Sequence, residues 1–491
     1  MLFKEKLMDR IHLYDGSKGF LIMQKGLEPG DCPDAWNLSH PDEVYEIHKA
    51  YVDAGSDIIQ TNTLQCSRYH LEARGMYDKL TELNKTGVAL AKKAAGGKVL
   101  TAASVSPLGM IMAPYGELSY DEAYAAFSEQ IKALLEAEVD ILHFETFTDL
   151  SELRIGVLAA KELYRQAPVI ATLSLDNGGR TVMGDEVGCS AAALAALGVD
   201  CAGANCGLSP RDLLLRFPPF TAFNAPLCSK PNAGIPAVEN GVMNYAATEE
   251  EFYDTAFGFA RLGARLIGGC CGSGPAHIRM LKNAVDAMNA DRAYDYLNVF
   301  GNVTKTNGNI EICSHARKAV FSLERFTAYA EEIMKISKAK TDSNANKPGF
   351  YESADGKLLT VDLSYLFNDI GASKKFGKET LSEITADILS EAGESDAEAT
   401  VFRAVACAGG REKRRETDNP VQNDIETVFK LLSENARAYH NKPVIFYTDV
   451  ASALREAVKR YCGVPGVIVK SGAEVDAREA LNGLAQTIIG V

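Results

Sequence analysis

Residues 119–145 read SYDEAYAAFSEQIKALLEAEVDILHFE. The first part is an amphipathic helical pattern; the end, 139–145, is a short apolar run that stops on an acid, Glu145. A helix feeding a buried strand that ends on a polar residue is one step of an alternating α/β fold. The same step repeats through the first 290 residues, where short apolar runs fall at 11–14, 57–61, 99–104, 139–145, 168–174, 199–205, 226–230 and 265–270. Helical patterns separate them, such as PDEVYEIHKAYVDAG (41–55) and TEEEFYDTAFGFARLGA (248–264). In the first of these, Val44, Ile47, His48 and Tyr51 keep helical spacing, with Pro41 suited to the first turn and Gly55 to the stop.

Eight strands alternating with helices over about 290 residues is the arithmetic of a (β/α)8 TIM barrel. A doubly wound open sheet competes, but DGSKGF after the first strand lacks the G-x-G-x-x-G dinucleotide fingerprint. A barrel places its active-site residues where strands end, on the carboxyl-terminal face. Those ends are Asp15, Asn62, Ser104, Glu145, Asn205–Cys206, Lys230–Asn232 and Cys270–Cys271, so polar and thiol groups gather there while the strand bodies are apolar. The expected organisation is a barrel over 1–295, a connector with one helix (FSLERFTAYAEEIMKISK) over 296–349, and a smaller α/β domain over 350–491. Strands in that last domain are expected at 358–363, 400–407, 443–447, 466–469 and 487–489.

The chain has 491 residues, 46% of them hydrophobic and 24% charged, with a formal net charge of -14. That much apolar material builds a large core, and the acidic balance argues against nucleic acid or an anionic membrane as principal partner. No run of about 18 apolar residues suggests a membrane span. MLFKEKLMDRIHLYDG lacks the apolar core and small-residue cleavage site of a secretory signal, so a cytoplasmic setting is expected. Eleven cysteines, an odd number with two of them adjacent, are no disulfide framework and fit a reducing compartment.

Three of those cysteines end strand candidates. Cys206 follows the sixth, in CAGANCGLSP, and Cys270 and Cys271 follow the eighth, in LIGGCCGSGP. In a barrel both ends open into one mouth, and Gly207, Gly268, Gly269 and Gly272 let the backbone approach closely. Three thiolates with a free fourth position describe a catalytic zinc site rather than a closed structural one. Zinc would keep an incoming thiol ionised, and a thiolate-rich site favours sulfur alkylation over hydrolysis. The alternative is three inert core cysteines, although vicinal cysteines fill a core poorly because strand neighbours face opposite ways.

At this point the sequence resembles a known family. DGSKG, CPDAWNLSHPDEVYEIHKAYVDAGSDIIQTNT, PYGELSYDEAYAAF, HFETFTDL, GANCGLSP, KPNAG and IGGCCGSGPAHI run in order as in the homocysteine S-methyltransferase, or homocysteine-binding, domain. The similarity spans about residues 10–290 and is strongest to the N-terminal module of cobalamin-dependent methionine synthase. The resemblance implies a zinc barrel with Cys206, Cys270 and Cys271 as ligands and L-homocysteine as substrate, its sulfur attacking a methyl group to give methionine. It also implies that Asp15 and Glu145 hold the substrate ammonium, with Asn232 beside the zinc. Taken alone, Glu145 could equally be an ion-pair partner and Asp15 a turn residue.

Two segments depart from the family pattern. Lys18-Gly19-Phe20 replaces a small or apolar residue followed by Gly-Thr, and Ser106-Pro107-Leu108-Gly109 stands for Gly-Pro-Thr-Gly. Both lie at the mouth and leave open a somewhat different thiol substrate. The Asp-x-His-x-x-Gly cobalamin signature is absent, since none of the eight His has Asp two positions before it. The expected donor is therefore a methyl-corrinoid (methylcobalamin) carried by a separate protein, which residues 350–491 would dock. Those residues resemble the folate-binding barrel only faintly. The alternatives are S-methylmethionine or another small sulfonium donor, or a non-catalytic subunit that binds the corrinoid partner.

Overall fold

A computed structural model describes residues 3–290, apart from 29, 224 and 240–241, together with strands and helices lying between 309 and 490. The chain divides into two compact units, one of Met1–Met112 and Leu118–Thr304, the other of Ala113–Glu117 and Lys305–Val491.

The first unit carries β1 (His12–Leu13), β2 (Ile58–Gln60), β3 (Leu100–Val105), β4 (Ile141–Phe147), β5 (Val169–Leu173), β6 (Cys201–Asn205), β7 (Leu227–Lys230), a small hairpin of β8 (Ala237–Glu239) and β9 (Val242–Asn244), and β10 (Ala264–Ile267). All eight expected barrel strands are present, parallel throughout, in the order β1-β10-β7-β6-β5-β4-β3-β2. The ring closes between β2 and β1, where Tyr14 bridges Ile58, the Asp15 N–H donates to the Ile58 carbonyl (3.1 Å) and the Asp57 N–H donates to the Leu13 carbonyl (2.7 Å). This is the closed (β/α)8 arrangement and not an open sheet.

The barrel interior is layered. At the amino-terminal end, Leu7, Tyr14, Ile58, Ala102, Ile141, Ile170, Cys201, Cys228 and Leu266 form one apolar cluster, with Phe3 packed against it. Cys201 and Cys228 are core cysteines of this layer, and burial pushes both thiols up, Cys228 to about 12. Above that layer the inward positions turn polar. Gly203 on β6 is where the barrel wall is tightest, since a Cβ there would lie 1.8 Å from the Cys228 carbonyl oxygen.

The eighth barrel strand stops at Ile267 rather than running on to Cys270 as expected. A side chain at Gly268 would meet the Tyr14 Cβ at 2.7 Å, and one at Gly269 would meet the Ser273 Oγ at 2.2 Å. The chain therefore leaves the ladder through two glycines and presents the vicinal cysteines from a loop. That loop is pinned by Gly269 N–H to the Asp15 carbonyl (3.1 Å) and Cys270 N–H to the Pro231 carbonyl (2.8 Å).

The helix Tyr120–Glu136 of the opening stretch starts in a reciprocal cap: the Glu122 N–H donates to Ser119 Oγ (3.3 Å) and the Ser119 N–H to Glu122 Oε2 (3.0 Å). Its apolar face buries Ala123, Ala126, Phe127, Ile131 and Leu134. Ser119→Ala removes one half of the cap and is expected to cost about 1 kcal/mol, read as a melting shift of roughly 2–4 °C. An unchanged melt would show that this end is held by other contacts.

In the second unit, β11 (Asn309–Cys313) and β12 (Lys318–Ser322) form an antiparallel pair. Phe321 and Ser322, expected to open a helix, instead end β12, paired with Ile310 and Asn309. Residues 323–348, holding the rest of that stretch and the connector beyond it up to 348, lie outside the described residues. A second sheet runs in sequential order through β13 (Gly349–Glu352), β14 (Leu358–Asp362), β15 (Ala399–Arg403), β16 (Val444–Tyr447), β17 (Gly466–Val469) and β18 (Ile488–Gly490). Only β13 is antiparallel to its neighbour. The helices Pro420–Tyr439 and Ala451–Arg460 connect parallel strands, and Ile425, Phe429, Leu432, Phe446, Leu454 and Tyr461 share one core. Among the described residues no helix is long and apolar enough to cross a membrane.

Candidate thiol and substrate site

The carboxyl-terminal mouth of the barrel holds a cavity of about 230 Å³ whose wall includes Lys18, Phe20, Gln60, Glu145, Lys230, Tyr245 and all three predicted cysteines. Cys206 stands 64 and 65 positions before Cys270 and Cys271, across the β6 and β10 ends, yet the three sulfurs all lie within 4.8 Å of one another. Cys206 Sγ is 3.7 Å from Cys271 Sγ. Sulfurs bound to one tetrahedral zinc at about 2.3 Å sit roughly 3.8 Å apart, so the Cys206–Cys271 separation matches such a site and the third sulfur lies within reach of it. Among the described residues it is the one group of three His, Cys, Asp or Glu side chains with such spacing.

The local backbone is what brings these sulfurs together. Cys206 adopts a left-handed conformation with φ 62°, followed by Gly207 at φ 75°. A non-glycine residue there costs about 1–2 kcal/mol and persists only where the surroundings impose it. Here the Cys206 N–H donates to the Lys230 carbonyl (3.1 Å) and the Leu208 N–H to the Cys206 carbonyl (2.8 Å). Hydrogen bonds from the thiols of Cys270 and Cys271 draw Cys206 down to about 3. The same bonds raise Cys270 to about 12 and push Cys271 up as well.

Asn232, buried at the mouth, also hydrogen-bonds Cys206 through its side chain, while its Oδ1 has no partner. Tyr245 places its ring against Gly272 and its hydroxyl at Cys271. It meets Phe20 edge to face, with ring centroids 5.4 Å apart.

Beneath the sulfurs lies a buried polar network. Glu145 Oε1 accepts from Gln60 Nε2 (2.6 Å) and from the Ser104 hydroxyl, and Oε2 accepts from Asn205 Nδ2 (3.3 Å). Burial pushes the Glu145 carboxyl above its ordinary value, against the opposing pull of Lys230 and Lys18. Asn205 also donates toward Cys270 Sγ (3.6 Å), which joins this network to the thiols. His143 contacts Tyr14 Oη (3.1 Å), Gln60 Nε2 (3.1 Å) and Thr172 Oγ1 (3.0 Å). Burial, with Lys230 and Lys18 nearby, keeps its pKa well below the usual histidine range, so it is a neutral core group.

Asp15 is fully buried and already engaged. It accepts from Lys230 Nζ (3.1 Å) and from the Gln60 N–H (2.7 Å), with Lys18 Nζ at 3.7 Å. Lys230, 1% exposed, also donates to Gln60 Oε1 and rests its ammonium 3.9 Å from the centre of the Tyr14 ring. Burial opposes that charge, but Asp15 and Glu145 more than offset it and raise the lysine's pKa. The structure therefore gathers Cys206, Cys270, Cys271 and Glu145 around the cavity, sets Asn232 against Cys206, and places Asp15 behind Lys230. Gln60, His143 and Tyr245 were missed from sequence. Gln60 and His143 are lone polar residues inside apolar runs, a detectable signal; Tyr245 lies in a loop without periodicity.

Comparison with known proteins gives one family and several relatives. The family description for homocysteine S-methyltransferase matches residues 12–285. Methionine synthase of Mycobacterium leprae is 29% identical over 303 residues, covering 58% of this chain and 25% of that protein. Methionine synthase of Mycobacterium tuberculosis is 29% identical over 297 residues, covering 57% and 25%. The chain thus spans about a quarter of the length of the curated relatives it matches. The metallated form of the homocysteine methyltransferase MmuM from Escherichia coli aligns at 25% identity with a TM-score of 0.48, covering 56% of this chain and 96% of that one.

Proposed function

Because the chain belongs to the homocysteine S-methyltransferase family, we propose that its barrel transfers a methyl group to the thiol of L-homocysteine and forms methionine in a zinc-dependent reaction. The observation that carries this reading is the meeting of three cysteine sulfurs within 4.8 Å at the wall of a cavity that also presents Glu145. Cys206, Cys270 and Cys271 would hold the zinc, which when bound keeps a substrate thiol ionised at neutral pH and so supplies the nucleophile.

The chain's own residues do the rest. Asn232 and Asn205 direct side-chain amides at the cysteine sulfurs and fix their orientation. Glu145, held by Gln60, Ser104 and Asn205, faces the cavity as the acceptor for the substrate ammonium. Asp15 contributes at one remove, by neutralising Lys230. In the reaction the substrate loses its thiol proton, a sulfur–carbon bond forms, and the donor's bond to the methyl carbon breaks in line.

We assign the donor to a methyl-corrinoid held by a separate protein, on the likeness of residues 10–290 to the N-terminal module of cobalamin-dependent methionine synthase. A sulfonium such as S-methylmethionine is the second candidate. The test is methionine formation from homocysteine by zinc-loaded protein, with free methylcobalamin and S-methylmethionine in parallel. Turnover with methylcobalamin that disappears on chelation and returns with zinc is expected. Turnover with S-methylmethionine alone reassigns the donor, and a rate indifferent to chelation overturns the zinc role.

A further inference from the structure

Lys18 stands where the family pattern has a small or apolar residue, and the structure gives its charge little to do. Its side chain is 10% exposed and lines the same cavity as the three cysteines. Among the described residues its ammonium faces one carboxylate oxygen, Asp15 Oδ2 at 3.7 Å, too far for a hydrogen bond. That carboxylate is already neutralised by Lys230 at 3.1 Å and by the Gln60 N–H. The other acids of the wall feel its charge but make no ion-pair contact with it. Glu145 accepts from Gln60, Ser104 and Asn205, and Asp34 accepts from the Gln65 N–H and the Cys66 thiol. A lysine ammonium has three donors, and burying it with none of them used is costly unless something else supplies the acceptor.

We propose that Lys18 is the specificity-determining anchor for the carboxylate of the thiol substrate, so that this site selects thiol acids and reads the carboxylate more strongly than the amino group. The inference rests on the thiol-methylating reading given above and names its substrate class. Its geometry is simple: a thiol end at Cys206, Cys270 and Cys271, an anionic end at Lys18, and about 230 Å³ between them for a short aliphatic chain. Asp15 is left as the group that keeps Lys230 charged rather than as a second ammonium acceptor.

The test is calorimetric binding to the zinc-loaded full chain of three thiols: L-homocysteine, 4-mercaptobutyrate, which lacks the amino group, and 3-aminopropane-1-thiol, which lacks the carboxylate. In the wild type, losing the carboxylate should weaken binding about ten- to a hundredfold, the range of a charge-assisted pair, and losing the amino group should matter less. Lys18→Met should weaken both acids by that factor, leave the aminothiol unchanged and retain zinc; Lys18→Arg should restore part of the preference. A Lys18→Met protein with the wild-type ratio between homocysteine and the aminothiol overturns the carboxylate anchor alone. A zinc-loaded wild type that binds none of the three thiols overturns the thiol-methylating reading itself.

Discussion

Cys270→Ser is expected to yield folded protein without stoichiometric zinc, in which homocysteine-dependent methyl transfer falls by at least about a thousandfold. The magnitude follows from two separable losses. A free thiol with a pKa near 8.5 is roughly 3% ionised at pH 7, so losing metal activation alone costs about thirtyfold in nucleophile. Losing the fixed position of the sulfur beside the donor carbon costs about a hundredfold more, the scale on which misplacement is felt. Serine keeps the volume and the loop geometry, in which the Cys270 N–H donates to the Pro231 carbonyl at 2.8 Å. Zinc content by elemental analysis, methionine formation and the thermal melt together decide the case. Cys201→Ala is the control, because Cys201 belongs to the apolar layer below the site and should leave zinc content unchanged. Wild-type zinc and activity in Cys270→Ser would remove the cluster from the mechanism.

Both halves of that contrast bear on what the sequence could reveal. Alternation of apolar runs with helical patterns located all eight barrel strands, because a strand buried on both faces writes a short continuous apolar word. Strand ends located Asn205 and Lys230, the last residues of β6 and β7, and fell two residues short for Glu145, since β4 runs on to the buried Phe147. The thiol cluster was legible because closure of the ring brings the ends of β6 and β10 to one mouth. What escaped was anything set by side-chain direction or by pairing. Cys201, Cys206 and Cys228 read alike as letters, yet Cys201 and Cys228 pack downward into the core while Cys206 turns into the cavity on a left-handed residue. Lys230 looked like a strand end, and only the register of β7 against β6 and β10 puts its ammonium on Asp15. The early exit of β10 at Ile267 depends on how close Gly268 lies to Tyr14, which no local pattern records.

The Asp15–Lys230 pair carries the second large effect. Both side chains are essentially inaccessible, at 0% and 1% exposure, so neither charge can turn to water if the other is removed. Lys230→Met should cost about 3 kcal/mol, at the lower end for breaking a buried pair because Lys18 remains 3.7 Å from Asp15. For a unit of this size that corresponds to a melting decrease of roughly 6–10 °C. Asp15→Asn should also destabilise, leaving Lys230 with Gln60, the Tyr14 ring and the more distant charge of Glu145. The double variant removes both charges and should recover most of the loss, with a coupling energy of about 1.5 kcal/mol or more. Additive single effects would show that the two residues do not act as a pair. The same cycle reads Lys18 independently: with Lys230 gone, Asp15 competes with the substrate for the Lys18 ammonium, so homocysteine should bind more weakly to Lys230→Met than to the double variant, even though both keep the zinc ligands. Equal affinities in the two would separate the stability of the barrel floor from recognition at its mouth.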